Sequence, residues 1–148
     1  MNLYAESSAV LAWLLGEATG PAARQCMEEA DAIVCSELTL VECDRTLHRA
    51  VALRALAEKK AAGLRARLTA TARYWNILAI IPAIVDRARQ PLPGEPIRTL
   101  DALHIASALH ARAAVADLAL LSFDGRVRRA GVALGFALLP RHGDDATD

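Results

Sequence analysis

Apolar and polar positions along the chain follow two rhythms, short apolar runs and longer stretches with helical spacing. Asn2 to Glu6 reads as a short first strand, and Ser7 and Ser8 behind it are residue types that cap a helix, predicted to run to about Leu15. Gly16 and Gly20 then close a turn, and Pro21 is placed to open a second helix through Glu29. The run Ala32-Ile33-Val34-Cys35, bounded by Asp31 and Ser36, has the character of a strand buried on both faces. Leu38, Val41, Leu47 and Val51 recur at helical spacing, which predicts a helix from Thr39 to about Leu53. A second amphipathic helix follows from about Leu56 to Arg73.

Asn76 to Ile81 is strand-like and stops at Pro82, which opens a short helix to Arg89. The prolines and glycine between Gln90 and Pro96 allow only a loop. Thr99 is the expected cap of a helix from Leu100 to about Ala113. Ala119 to Ser122 predicts a strand, Gly125 to Ala130 a short helix, and Phe136 to Leu139 a final strand. No repeat or linker interrupts this order. It predicts one α/β domain over residues 1–140, with a mainly parallel central sheet of about four or five strands flanked by helices, and a polar tail over residues 141–148.

Composition sharpens the picture. Of 148 residues, 32 are Ala and 22 Leu, and the aromatic share is 4%, which favours helix and argues against an all-β sandwich. The longest apolar run, Ile77 to Val85, holds nine residues with Pro82 inside it, so no membrane span is expected. The N-terminal residues have no basic segment and meet Glu6 early, unlike a signal peptide, so the expected location is cytoplasmic. Cys26, Cys35 and Cys43 form no C-x-x-C pair and read as small buried apolar residues.

The net charge of zero hides a segregation. Residues 1–44 carry eight acids and one base, whereas residues 45–74 carry eight bases and one acid. That basic stretch is either a solvated helix face or a surface for phosphates or an acidic partner.

Glycine loops of the G-x-x-x-x-G-K and G-x-G-x-x-G kinds are absent from the sequence, as is a G-x-S-x-G elbow. His104 and His110 are six apart, on opposite sides of a helix, which argues against a zinc pair. What remains is a set of carboxylates. Glu6 and Asp124 end predicted strands directly before helices, and in an open parallel sheet ligands gather outside the carboxyl ends of the strands. Glu42 and Asp101 fall in predicted first turns of helices. Singly, these acids suit a helix dipole or a turn. Gathered on one rim they would repel each other unless a cation sat among them. Oxygen ligands of this kind suit Mg²⁺ or Mn²⁺, the ions of phosphodiester hydrolysis.

The segments Leu-Tyr-Ala-Glu6-Ser-Ser8, Ser-Glu-Leu-Thr-Leu-Val-Glu42, Arg-Thr-Leu-Asp101-Ala-Leu-His-Ile-Ala and Leu-Leu-Ser-Phe-Asp124 resemble the four acidic motifs of the PIN-domain ribonucleases. Length and motif order resemble the VapC-like toxins of toxin–antitoxin pairs. The resemblance implies a parallel sheet flanked by helices and an endoribonuclease dependent on Mg²⁺ or Mn²⁺. It implies a homodimer held inactive by a cognate antitoxin, with RNA as substrate. By position, Glu6, Glu42, Asp101 and Asp124 are the implied catalytic and metal-site acids, and Ser8 matches a hydroxyl residue that supports the site. One departure is that the first motif normally carries Asp. Glu6 moves the carboxylate by ~1.5 Å, about one carbon–carbon bond.

A cluster of acids repels RNA, so basic residues are needed to hold its backbone. Arg45 and Arg49 lie on the helix face of Glu42, and Arg126, Arg128 and Arg129 follow Asp124 closely, making all five candidates for phosphate contacts. Trp13 and the helices of residues 39–73 are candidates for dimer or antitoxin contact. Two readings follow: a metal-dependent endoribonuclease, and a catalytically weak PIN-like domain that binds RNA or a protein partner. A different Mg²⁺-dependent phosphotransfer enzyme fits poorly, because the first strand ends in Glu rather than an Asp nucleophile.

Overall fold

A computed structural model of the chain describes residues 1–141. The strands are β1 (Asn2–Ala5), β2 (Ala32–Ser36), β3 (Asn76–Leu78), β4 (Leu118–Leu121) and β5 (Leu138–Leu139). The helices are α1 (Ser7–Leu15), α2 (Gly20–Glu29), α3 (Glu37–Ala52), α4 (Glu58–Ala72), α5 (Pro82–Ala88), α6 (Thr99–Ala114) and α7 (Gly125–Ala133). The strands form one sheet in the order β3-β2-β1-β4-β5, with every pairing parallel. This is the α/β fold expected from the sequence. Among the described residues no helix is long and apolar enough to cross a membrane. The expected tail over residues 141–148 lies, apart from Arg141, outside the described residues.

The period of two along a strand divides the core. Leu3 and Ala5 of β1 and Leu121 of β4 face a cluster with Val10, Leu14, Cys43, Leu47 and Leu68, so α1 to α4 cover that side. Tyr4 of β1 and Leu118 and Leu120 of β4 face the other side, against Ile105, Ala108, Val127 and Ala130 of α6 and α7. Gly16, at φ +68°, ends α1 in the left-handed conformation that suits glycine. A Cβ on Gly20 would lie 2.5 Å from the Ala12 carbonyl oxygen, so the close crossing of α1 and α2 needs glycine there.

Boundaries differ from expectation at identifiable points. The Ser36 hydroxyl accepts from the backbone N–H of Leu38 and starts α3 at Glu37 rather than Thr39. Thr99 lies inside α6, whose N-cap is Arg98, so it is not the expected cap. β3 ends at Leu78 rather than Ile81 because its neighbour β2 ends at Ser36, the residue paired with Leu78. Phe136 lies before β5, buried with the Arg112 guanidinium 4.1 Å from its ring centroid. Cys35 and Cys43 are buried as expected, and burial pushes the Cys35 thiol up to about 12, whereas Cys26 is half-buried. Trp13, a candidate surface contact, is instead a core residue 9% exposed, with the Arg67 guanidinium 4.5 Å from its ring centroid.

Candidate active site

The strand order changes direction at β1. Connections through α1–α2 and α3–α4 carry the chain to β2 and then β3, whereas β4 and β5 lie on the other side. The carboxyl ends of β1 and β4 are therefore the crevice where an open parallel sheet receives a ligand. Glu6 is the first residue beyond β1, and its backbone N–H still donates to the Leu121 carbonyl at 3.0 Å. Its own backbone is the N-cap of α1, so Ser7 and Ser8 open the helix rather than capping it. Their hydroxyls turn back to the Glu6 carboxylate. Ser7 Oγ donates to Oε1 at 2.7 Å, Ser8 Oγ donates to Oε2, and Ser122 Oγ donates to Oε2 at 2.8 Å. A side chain only 5% exposed needs such partners for its oxygens in place of water. Ser8 Oγ also accepts from the backbone N–H of Phe123 at 2.8 Å and of Asp124 at 3.2 Å, tying the start of α1 to the end of β4.

Asp124 caps α7. Its Oδ1 accepts from the backbone N–H groups of Arg126 and Val127 at 2.8 and 3.2 Å. Its Oδ2 lies 3.4 Å from Arg126 Nη2, while Arg126 Nε donates to Asp101 Oδ2 at 3.2 Å. The guanidinium thus sits between the two acids. Burial and the charge of Asp124 push the Asp101 carboxyl above its ordinary range, Arg126 opposes them, and Glu6 adds to the upward push. Arg126, a candidate for RNA phosphate, is held by the cluster itself. Arg128 corrects the sequence reading: it is buried, and its guanidinium donates to the carbonyls of Ser122, Leu139 and Pro140 at 2.9, 3.0 and 3.0 Å. Arg129 is exposed.

Glu42 lies in the second turn of α3, not the first, because the helix starts at Glu37. The dipole of a helix fades beyond its first turn, and another partner serves Glu42. His104 Nε2, on α6, donates to Glu42 Oε2 at 2.6 Å. Burial works to raise the Glu42 carboxyl, but the hydrogen bond from His104 and the polar hydroxyl of nearby Ser7 outweigh it and hold it below the ordinary range. His104 is buried at 1% exposed and His110 is exposed, the opposite orientations their spacing implies. In the sequence His104 stands out first by its spacing from His110. The available signal was its position one helical turn after Asp101, on the same face.

One ligand atom each from Glu6, Glu42 and His104 lie within 4.8 Å of one another. The carboxylates of Glu6, Glu42, Asp101 and Asp124 face the one guanidinium of Arg126, and this oxygen-rich donor set fits a divalent cation. Beside it, Glu42, Arg45, Thr46, His48, Arg49 and Leu100 line a groove of about 470 Å³. Arg45 and Arg49 are exposed there, leading away from the acids.

The sequence matches the PIN domain family over residues 3–133. No curated protein matches it. Among solved structures, the chain is similar to Mycobacterium tuberculosis VapC20, described as a sarcin–ricin loop cleaving toxin. The identity is 16% and the TM-score 0.64, over 91% of this chain and 96% of that one. Rickettsia felis VapBC2, bound to a DNA fragment from its promoter, gives 13% identity and a TM-score of 0.66 over 93% and 97% of the two chains. A toxin–antitoxin complex from Klebsiella pneumoniae gives 18% identity and a TM-score of 0.60 over 84% and 87%. Likeness at such identities shows a common fold.

Proposed function

The chain belongs to the PIN domain family, and from that premise we propose that it is a divalent-metal-dependent endoribonuclease, the toxin of a toxin–antitoxin pair. The observation that carries the reading is the gathering of Glu6, Glu42, Asp101 and Asp124 from separate parts of the chain at the carboxyl ends of β1 and β4. Asp101 senses the charges of both Asp124 and Glu6, and Glu42 and Glu6 each approach His104. In this reading the four acids hold Mg²⁺ or Mn²⁺. When bound, such an ion supplies charge neutralisation and the Lewis acidity that phosphodiester hydrolysis requires.

The chain's own residues do the rest. Ser8 and Ser122 fix the Glu6 carboxylate, and Asp124 anchors the start of α7 through its N-cap. Arg45 and Arg49 hold backbone phosphates along the groove, so that an RNA strand crosses the acids without being repelled from them. Arg126 is held by Asp101 and Asp124 through Nε and Nη2. A cognate antitoxin and a second copy of the chain are the proposed protein partners in the cytoplasm. The similar Klebsiella protein is itself described as a toxin–antitoxin complex. The largely apolar groove of about 650 Å³ between α5, the loop of residues 90–97 and α6 is suited to a protein contact.

One observation favours the second reading, a catalytically weak domain that binds RNA or protein. Both oxygens of Glu6 already accept hydroxyl hydrogen bonds. Purified protein incubated with total RNA separates the two. The nuclease reading expects cutting in Mn²⁺ or Mg²⁺ that stops in EDTA and is lost in Asp101→Asn. Equal inertness of folded, antitoxin-free wild type and variant in both metals would leave the binding reading in its place.

A further inference from the structure

His104 is buried, at 1% exposed, and both its ring nitrogens face polar partners. Nε2 is 2.6 Å from Glu42 Oε2, and Nδ1 is 3.3 Å from the hydroxyl of Tyr4, which is fully buried in β1. A Tyr4 phenol that donates to Nδ1 leaves the imidazole proton on Nε2, where the Glu42 carboxylate accepts it. Tyr4 lies two residues before Glu6, and His104 lies one turn after Asp101. The imidazole therefore braces β1, α3 and α6; Glu42 lies on α3, Asp101 on α6, and Glu6 directly after β1.

We infer that His104 is a positioning residue, a strut that sets the Glu42 carboxylate at a fixed place beside Glu6 through the hydrogen-bonded series Tyr4–His104–Glu42. The assignment rests on the nuclease reading for what the acids are placed to hold. A Glu side chain has several rotatable bonds, and two carboxylates in one pocket repel, so Glu42 without its partner turns toward solvent. The His104 side chain is 2% exposed and that of Glu42 22%, so the carboxylate is the more accessible partner and the imidazole stands behind it. Ser7 Oγ, which donates to Glu6 Oε1 at 2.7 Å, is also 3.5 Å from Nε2 and closes the frame between the two acids. Partners that orient a metal's ligands are worth about 10- to 100-fold in metal affinity.

The test is Mn²⁺ binding by the whole protein without RNA, followed by calorimetry, with thermal unfolding in EDTA as the check on folding. His104→Leu is expected to weaken Mn²⁺ about 10- to 100-fold. His104→Gln, whose amide N–H can reach Glu42, is expected to recover most of the loss. Tyr4→Phe removes the far end of the series with little change of shape; it is expected to weaken binding several-fold and carries the test if the leucine variant does not fold. Wild-type affinity in a folded His104→Leu or in Tyr4→Phe would overturn the strut. So would a ¹⁴N coupling in the electron paramagnetic resonance of bound Mn²⁺ that marks His104 as a direct ligand. Failure of the underlying reading looks different: wild-type protein that neither binds Mn²⁺ nor cuts RNA removes both together.

Discussion

Asp101 lies in the first turn of α6, pushed up by burial and by Asp124 and drawn down by Arg126. A carboxyl whose folded pKa lies above its unfolded value holds more protons folded than unfolded in the window between the two. Its contribution to stability therefore falls as pH rises through that window. Asp101→Asn removes the titrating group, so in EDTA the variant is expected to unfold at a higher temperature than wild type at neutral pH. That advantage shrinks as pH falls through the window between the two pKa values, where the wild-type carboxyl takes up its proton. Thermal unfolding above and below that window checks this, and a less stable variant at neutral pH would mean that the Arg126 pair outweighs the repulsion. Glu42 has the opposite sign, its stabilisation being present above the unfolded pKa and lost as pH falls through the lowered folded one. At this scale the acids were legible, since strand ends and helix starts are marked locally. Their partners were not. His104 meets Glu42 across 62 positions, and Arg126 meets Asp101 across 25, contacts that no local pattern encodes.

Helix α3 carries its function by phase. The Ser36 cap fixes its start, which sets Glu42 toward the acids and aligns Arg45 and Arg49 along the neighbouring groove. Each phosphate neutralised on a single strand adds about 0.7 to the slope of log affinity against log salt. In a catalytically silent Asp101→Asn background, Arg45→Ala with Arg49→Ala is therefore expected to reduce that slope by about 1.4 and to weaken RNA binding evenly across sequences. Filter binding over a salt series measures it, and an unchanged slope would mark the face as merely solvated. The elements themselves followed from hydrophobic period, but their lengths depended on neighbours. Ile80 and Ile81 extend the apolar run of β3, yet no strand residue pairs beyond Leu78.

The molecule as a whole gathers like charges at one edge of its sheet, and a cation that binds only the folded state offsets that repulsion. At a hundredfold excess over its dissociation constant such an ion stabilises by about 2.7 kcal/mol. For a chain of this size that corresponds to a rise in Tm of about 5–10 °C. Mn²⁺ is expected to produce a shift of this order in wild type and a much smaller one in Asp101→Asn, read by calorimetric unfolding. Equal shifts would place the ion elsewhere.

The sheet order also has a consequence in time. Synthesis runs from the N-terminus, so Glu6 and Glu42 emerge early, while β1 waits for β4, whose Leu118 pairs with Asn2. Ser122 and Asp124 come later still. A nascent chain that stops before β4 has no neighbour for one side of β1, and one that stops before Asp124 has no assembled cluster. If the chain is the nuclease proposed above, its site is incomplete until most of the domain has been translated.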